Sequence, residues 1–136
     1  MWDQDLASRA AGMVLVDVGE GRAVISMTVG PAHVNGLGVC HGGYLFMLAD
    51  SAMAFASNSR NEVALAAAAQ VDFLRSARLG DVLEATAVMR ADGKRTGITD
   101  VEVRLVPAPA SDPGQGRPLV ALMRGRTSKT GARVLG

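Results

Sequence analysis

Asn35, Cys40, His41, Gly42, Gly43 and Asp50 fall within sixteen residues, and theirs are the residue types and spacings in this 136-residue chain that suit chemistry. Gly42 and Gly43 open the stretch Cys40 to Ser59, which reads as one helix of about four turns. The N-terminus of a helix carries free backbone N–H groups and the positive end of the helix dipole, and both favour developing negative charge. Glycine there lets a ligand approach the backbone closely, so Gly42 N–H is a candidate oxyanion donor. Asp50 is the one charged residue of the stretch, a carboxylate among apolar neighbours that could attack a carbonyl or take a proton from water. These are parts suited to acyl transfer.

The two parts cannot serve one site within one chain. Asp50 stands eight residues beyond Gly42, which at ~1.5 Å per residue is ~12 Å along the helix, too far for both to touch one carbonyl. Two such helices lying antiparallel about a two-fold axis bring Asp50 of one subunit near Gly42 of the other and form two sites at once. Catalysis by this pair therefore predicts a dimer with shared active sites.

The helix itself dictates what must surround it. Tyr44, Leu45, Phe46, Met47, Leu48, Ala49, Ala52, Met53, Ala54, Phe55 and Ala56 occupy every side of it, and a helix that is apolar all round is buried all round or spans a membrane. This one is shorter than the ~20 residues a bilayer requires and has a carboxylate at its centre, so it is expected to be a core helix. Asp5 to Gly12 reads as a short first helix, with residues 1–12 forming the N-terminal element. Met13 to Val18 and Arg22 to Val29 read as strands joined at Gly19-Glu20-Gly21. Gly30 to Gly38 has loop composition. After the helix, Val63 to Leu74 passes from an alanine run that could prolong a helix into Val71-Asp72-Phe73-Leu74, which reads as extended.

Val82 to Arg90 and Thr99 to Leu105 alternate with period two, the second with Val101, Val103 and Leu105 inward and Asp100, Glu102 and Arg104 outward. Ala91-Asp92-Gly93-Lys94 between them is a hairpin turn. Pro107 to Pro118 holds four prolines and reads as a loop, Leu119 to Arg126 as a last strand, and residues 128–136 as a flexible tail. The sum is an α+β fold in one domain over residues 1–136: about six antiparallel strands curled around one central helix.

Composition excludes several classes. At 49% hydrophobic residues the chain is no disordered protein, and a net charge of +1 with no basic run gives no field for nucleic acid or an anionic membrane. The single cysteine makes no internal disulfide, and Met1-Trp2-Asp3 opens no signal peptide, so a cytoplasmic location is expected. Cys40 and His41 are adjacent in sequence and point different ways, which argues against a Cys-His nucleophile; with His33 they lack recognised ligand spacing, so no metal is expected. His33 reads as a loop residue, and His41 as an anchor of the loop through a backbone hydrogen bond.

The segments HVNGLGVCHGGYLFMLADSAMAFASNS, VDFLR, GDVLEATAVM and GKRTGITDVEV resemble the hotdog-fold acyl-CoA thioesterases of the phenylacetic-acid-degradation type. The resemblance covers Ala32 to Val106 and extends weakly through Leu119 to Thr127. It implies a helix wrapped by a curved antiparallel sheet, dimers joined edge to edge into one continuous sheet, and often homotetramers. It implies that Gly42 N–H polarises the thioester carbonyl, that Asn35 orients water or substrate, and that Asp50 comes from the partner subunit as nucleophile or general base. Coenzyme A then belongs to the substrate, and no separate cofactor is expected. A thiol with a pKa near ~8.5 leaves readily, so no strong general acid is required.

For the substrate's remaining contacts the candidates are His41, Gly43, Ser51, Phe73, Arg75, Lys94, Arg95 and Thr96, with the regions Phe73 to Arg75 and Lys94 to Gly97 at the nucleotide end. The expected substrate is phenylacetyl-CoA, a hydroxyphenylacetyl-CoA or a medium-length acyl-CoA. Three other readings remain at this stage, the last of them a purely structural dimer. A hotdog hydratase or dehydratase acting on enoyl thioesters needs a histidine beside the carboxylate, and none is on the helix. A non-catalytic acyl-CoA sensor gives Asp50 no reason to be ionisable.

Overall fold

A computed structural model describes residues 1–109, 114 and 116–136 of the chain. The apolar runs flanking Gly19-Glu20-Gly21 pair as a hairpin of β1 (Met13–Gly19) and β2 (Arg22–Thr28), after the short helix α1 (Leu6–Ala10). A single 3-10 turn, Pro31–His33, leads to the central helix α2 (Gly42–Ser57), and β3 (Glu62–Phe73), β4 (Val82–Asp92), β5 (Thr96–Val106) and β6 (Leu119–Arg133) follow. The six strands form one sheet in the order β1-β2-β4-β5-β6-β3, antiparallel throughout. Residues 110–113 and 115, within the proline-rich loop, lie outside the described residues. Among the described residues no helix is long and apolar enough to cross a membrane.

Period-two patterning puts one row of each central strand on the helix. Ile25 and Met27 of β2, Leu83, Ala85 and Ala87 of β4, Val101 and Val103 of β5 and Met123 of β6 are buried against Leu45, Leu48, Ala49, Ala52, Met53 and Ala56 of α2. Leu105 is only half-buried. The outward row is ionic: Asp100 accepts two bonds from the Arg124 guanidinium, at 2.6 and 2.8 Å, and one from Arg90 at 3.2 Å. Close approach of helix to sheet needs Gly125, because a β-carbon there would collide with the sulfur and methyl group of the buried Met53.

Three details depart from the pattern in the sequence. The alanine run is strand, not helix: Asn58 at the end of α2 bonds both backbone groups of Ala64, at 2.9 and 3.0 Å, and β3 then pairs with β6 from Glu62 to Phe73. Pairing with a neighbour overrides alanine's helix propensity. Residues 128–133 are not a tail but the continuation of β6. Lys129 bonds Asp92 at 2.6 Å and Glu62 at 2.9 Å, Arg60 also pairs with Asp92, and Asn61 holds Leu135 through its side-chain oxygen and nitrogen. The Lys129 ammonium, with Arg60 behind it, holds the Asp92 carboxyl below the usual carboxylate range.

The third departure concerns α2, which is not covered all round. Gly43, Phe46, Met47, Asp50 and Ala54, at helical spacing, form a stripe that the chain's own sheet leaves open. β3, at one edge of the sheet, is exposed over most of its length, including Ala66 to Gln70. A sheet that curls from one side encloses the helix only as far as its edge strands reach.

Gly125→Ala is expected to destabilise the fold by about 1–3 kcal/mol, the usual cost of overpacking a core. Denaturant unfolding checks this, and an unchanged or raised midpoint would refute the helix-to-sheet contact described above.

Candidate active site

The loop from Gly30 to His41 is shaped by its own polar atoms. Asn35 Oδ1 accepts from the N–H groups of Leu37 at 2.9 Å and Val39 at 3.3 Å, and the backbone of Asn35 bonds Val39 and Gly38. With its oxygen thus engaged, the Asn35 side chain has its NH2 group left to donate. Cys40 is tied to Ala77, and His41 N–H donates to His33 O at 2.8 Å. The chain therefore enters α2 at a set angle.

His41 is the N-cap of α2, and its Nδ1 accepts the Gly43 N–H at 2.8 Å. The Tyr44 and Leu45 N–H groups turn back to His41 O. Of the first helical donors, Gly42 N–H alone has no acceptor among the described residues. Spending the Gly43 amide on the cap leaves one donor at the positive end of the helix, directed into a groove of about 360 Å³. Val39, Cys40, Leu45, Phe73, Leu74, Arg75 and Ser76 line that groove with Gly42. The Phe73 ring would stand 3.3 Å from a β-carbon at position 42, so it covers the glycine directly. Leu45 and Leu74 were not singled out in the sequence, where nothing distinguishes them from core leucines. The Cys40 thiol is buried, which raises its pKa, and its one hydrogen bond among the described residues goes to His41 O at 3.7 Å.

Asp50 lies two turns farther along on the open stripe of α2, half-buried, with no hydrogen-bond or ion-pair partner among the described residues. Burial among apolar side chains raises its pKa above the usual carboxylate value. Ser51 faces the other way: its Oγ lies 2.7 Å from Ser8 Oγ, which also donates to Asp5 Oδ2 at 2.8 Å. Ser51 thus docks α1 onto α2, and its place among the substrate contacts is corrected; adjacent helix positions point about 100° apart.

Lys94, Arg95 and Thr96 are also remote from Gly42 within the chain. They lie at the β4–β5 turn, where Lys94 and Arg95 share a second groove with Arg60, Lys129 and Arg133 beyond the C-terminal end of α2. Along β6, Thr96 registers with Ser128 and Phe73 with Ala121, a separation of seven residues or ~23 Å. The two regions expected to form one nucleotide-binding end therefore sit at opposite ends of a protomer, because the β4–β5 turn and the end of β3 project from opposite ends of the strands.

Comparison with known proteins places this arrangement. A family model described as the Thioesterase superfamily matches residues 37–107, the segment from the Asn35 loop to the end of β5. The acyl-coenzyme A thioesterase PaaI of Escherichia coli (strain K12) is 40% identical over 136 residues, covering 100% of this chain and 91% of the relative. The solved structure of the E. coli PaaI protein from the phenylacetic acid degradation operon superposes with a TM-score of 0.89 at 41% identity, covering 98% of this chain and 90% of that one. The smu.793 protein of Streptococcus mutans UA159, solved bound to acetyl CoA, matches with a TM-score of 0.79 at 27% identity, over 89% of this chain and 90% of that one. With a free backbone amide at the head of a wrapped helix, a carboxylate on its open face and these matches, the chain is an enzyme of the thioesterase superfamily, with the hotdog fold.

Proposed function

We propose that the protein hydrolyses acyl-CoA thioesters to free acid and coenzyme A, with aryl-acetyl groups such as phenylacetyl or hydroxyphenylacetyl, or medium-length acyl groups, as substrates. The observation that carries this reading is the unused Gly42 N–H at the head of α2, beside a groove walled by Phe73, Leu45 and Leu74. The thioester carbonyl takes that N–H, the Asn35 NH2 steadies the carbonyl or the attacking water, and the apolar walls receive the acyl group. Asp50 of the partner subunit attacks the carbonyl or deprotonates water; CoA leaves as the thiolate, and water supplies the oxygen of the released acid.

The shared site follows from the two surfaces the protomer leaves open. Joining β3 edges about a two-fold axis would satisfy the free backbone of Ala66 to Gln70, cover the open stripe of α2 and carry Asp50 to the partner's Gly42. The same antiparallel placement carries Lys94, Arg95 and Thr96 of one subunit toward Arg75 of the other, where they would hold the nucleotide phosphates. Pairs of such dimers would give a homotetramer.

Phenylacetyl-, hydroxyphenylacetyl-, benzoyl- and straight-chain acyl-CoAs, assayed for thiol release by wild type and Asp50→Asn, test the activity. Asp50→Asn is expected to lose at least about 10²-fold in kcat. Binding without turnover of any substrate would instead make the protein a sensor.

Burial raises the Asp50 pKa in the isolated protomer and makes the ionised form a burden to its fold. Asp50→Asn should therefore stabilise the isolated protomer at neutral pH and lose that advantage as pH falls through the raised pKa, measured by denaturant unfolding over a pH series. An advantage that does not shrink on acidification would assign the effect to something other than the carboxylate's charge.

Gly42→Pro removes the oxyanion donor, and its ring also presses on Phe73, which would stand 3.3 Å from a β-carbon at this position. Proline is tolerated at the first helical position, and His41 already has the extended backbone (φ −59°, ψ 134°) that precedes proline. The variant is expected to fold and to lose about 10²–10³-fold in kcat. Co-refolding Gly42→Pro with Asp50→Asn should then restore about a quarter of wild-type activity, since half the dimers are mixed and each has one intact site. No recovery would mean that the two residues act within one chain or not together.

A further inference from the structure

We propose that His33 is a positioning residue for the oxyanion donor, acting as a clamp that joins three segments behind Gly42. Its imidazole is buried, and both ring nitrogens are engaged: Nδ1 accepts the Gly30 N–H at 2.9 Å, and Nε2 lies 2.8 Å from Ala11 O. Because the Gly30 amide can only donate and the Ala11 carbonyl can only accept, the ring is held as the neutral tautomer with its hydrogen on Nε2. The ring edge also meets Tyr44, in the first turn of α2, with centroids 4.7 Å apart at an interplanar angle of 64°. The His33 backbone oxygen meanwhile accepts the His41 N–H at 2.8 Å.

One residue thus fixes the exit of α1, the end of the β2 extension and the entry to α2. The two histidines divide the work: His41 takes the Gly43 amide, and His33 holds His41 and Tyr44 on either side of Gly42. The direction of the Gly42 N–H then depends on a ring that does not line the groove. Misplacing a catalytic dipole by about 1 Å costs up to ~10²-fold in rate while binding contacts elsewhere persist, so the signature of a lost clamp is a fall in kcat at nearly constant KM.

This inference rests on the thioesterase reading, and Gly42→Pro separates the two: hydrolysis by wild type that is lost in Gly42→Pro establishes the donor before His33 is tested. On that footing, His33→Ala is expected to lower kcat about tenfold or more with KM within about twofold. His33→Gln, which keeps an acceptor and a donor on a planar group, is expected to recover most of the loss. A kcat unchanged in His33→Ala, a fall that follows only the fraction of folded protein measured by circular dichroism, or a Gln variant as poor as Ala would each overturn the proposal. If His33→Ala does not fold, nitrogen-15 spectra of the wild type decide: hydrogen on Nε2 with a bare, hydrogen-bonded Nδ1 supports the clamp, and the opposite tautomer or exchange between the two overturns it.

Discussion

The structure depends on enclosing a sixteen-residue helix built almost wholly of small and apolar side chains. Hydrophobic burial drives the sheet to curl around it, and the strand rows facing α2 are apolar for that reason. Six strands cover the helix except along one stripe, and the carboxylate stands on that stripe. Had the chain wrapped its helix completely, Asp50 would be sealed in an apolar core without a partner, at a cost of several kcal/mol. The incomplete wrap leaves the carboxylate, an edge strand and one helix face open.

Electrostatics at the two ends of the pair are arranged with few parts. At the head of α2 the cap consumes one amide and leaves another, so the helix dipole is focused through a single free N–H. At Asp50 burial raises the pKa, with no cation among the described residues to offset it. In the proposed dimer a second helix N-terminus would lower it again.

Local pattern and remote pairing divided the fold between them. Val101 and Val103 face inward as their alternation requires, and Asp100 finds Arg124 on the outer face. Ala66 to Ala69 carry no such pattern: alanine suits helix or strand, and β6 decided for strand. The residues after Thr127 look like a tail because they are polar and contain Gly131, yet Lys129 meets Asp92 and Glu62, and Asn61 receives Leu135. Those partners lie far away in sequence, so no window of residues contains the information.

The sequence by itself determined the helix, its glycine-rich head, the lone carboxylate and the distance between them, because each is a matter of residue type and a fixed rise per residue. From that distance a site shared between two subunits could be proposed without coordinates. Tertiary structure alone decided which amide the cap would spend, that Ser51 turns to Ser8 rather than to the open stripe, that Lys94 and Phe73 lie at opposite ends of the protomer, and that His33 is buried with both ring nitrogens bonded. Each of these depends on the direction of a side chain relative to a partner from another element, and direction is set by packing, which spacing along the chain does not encode.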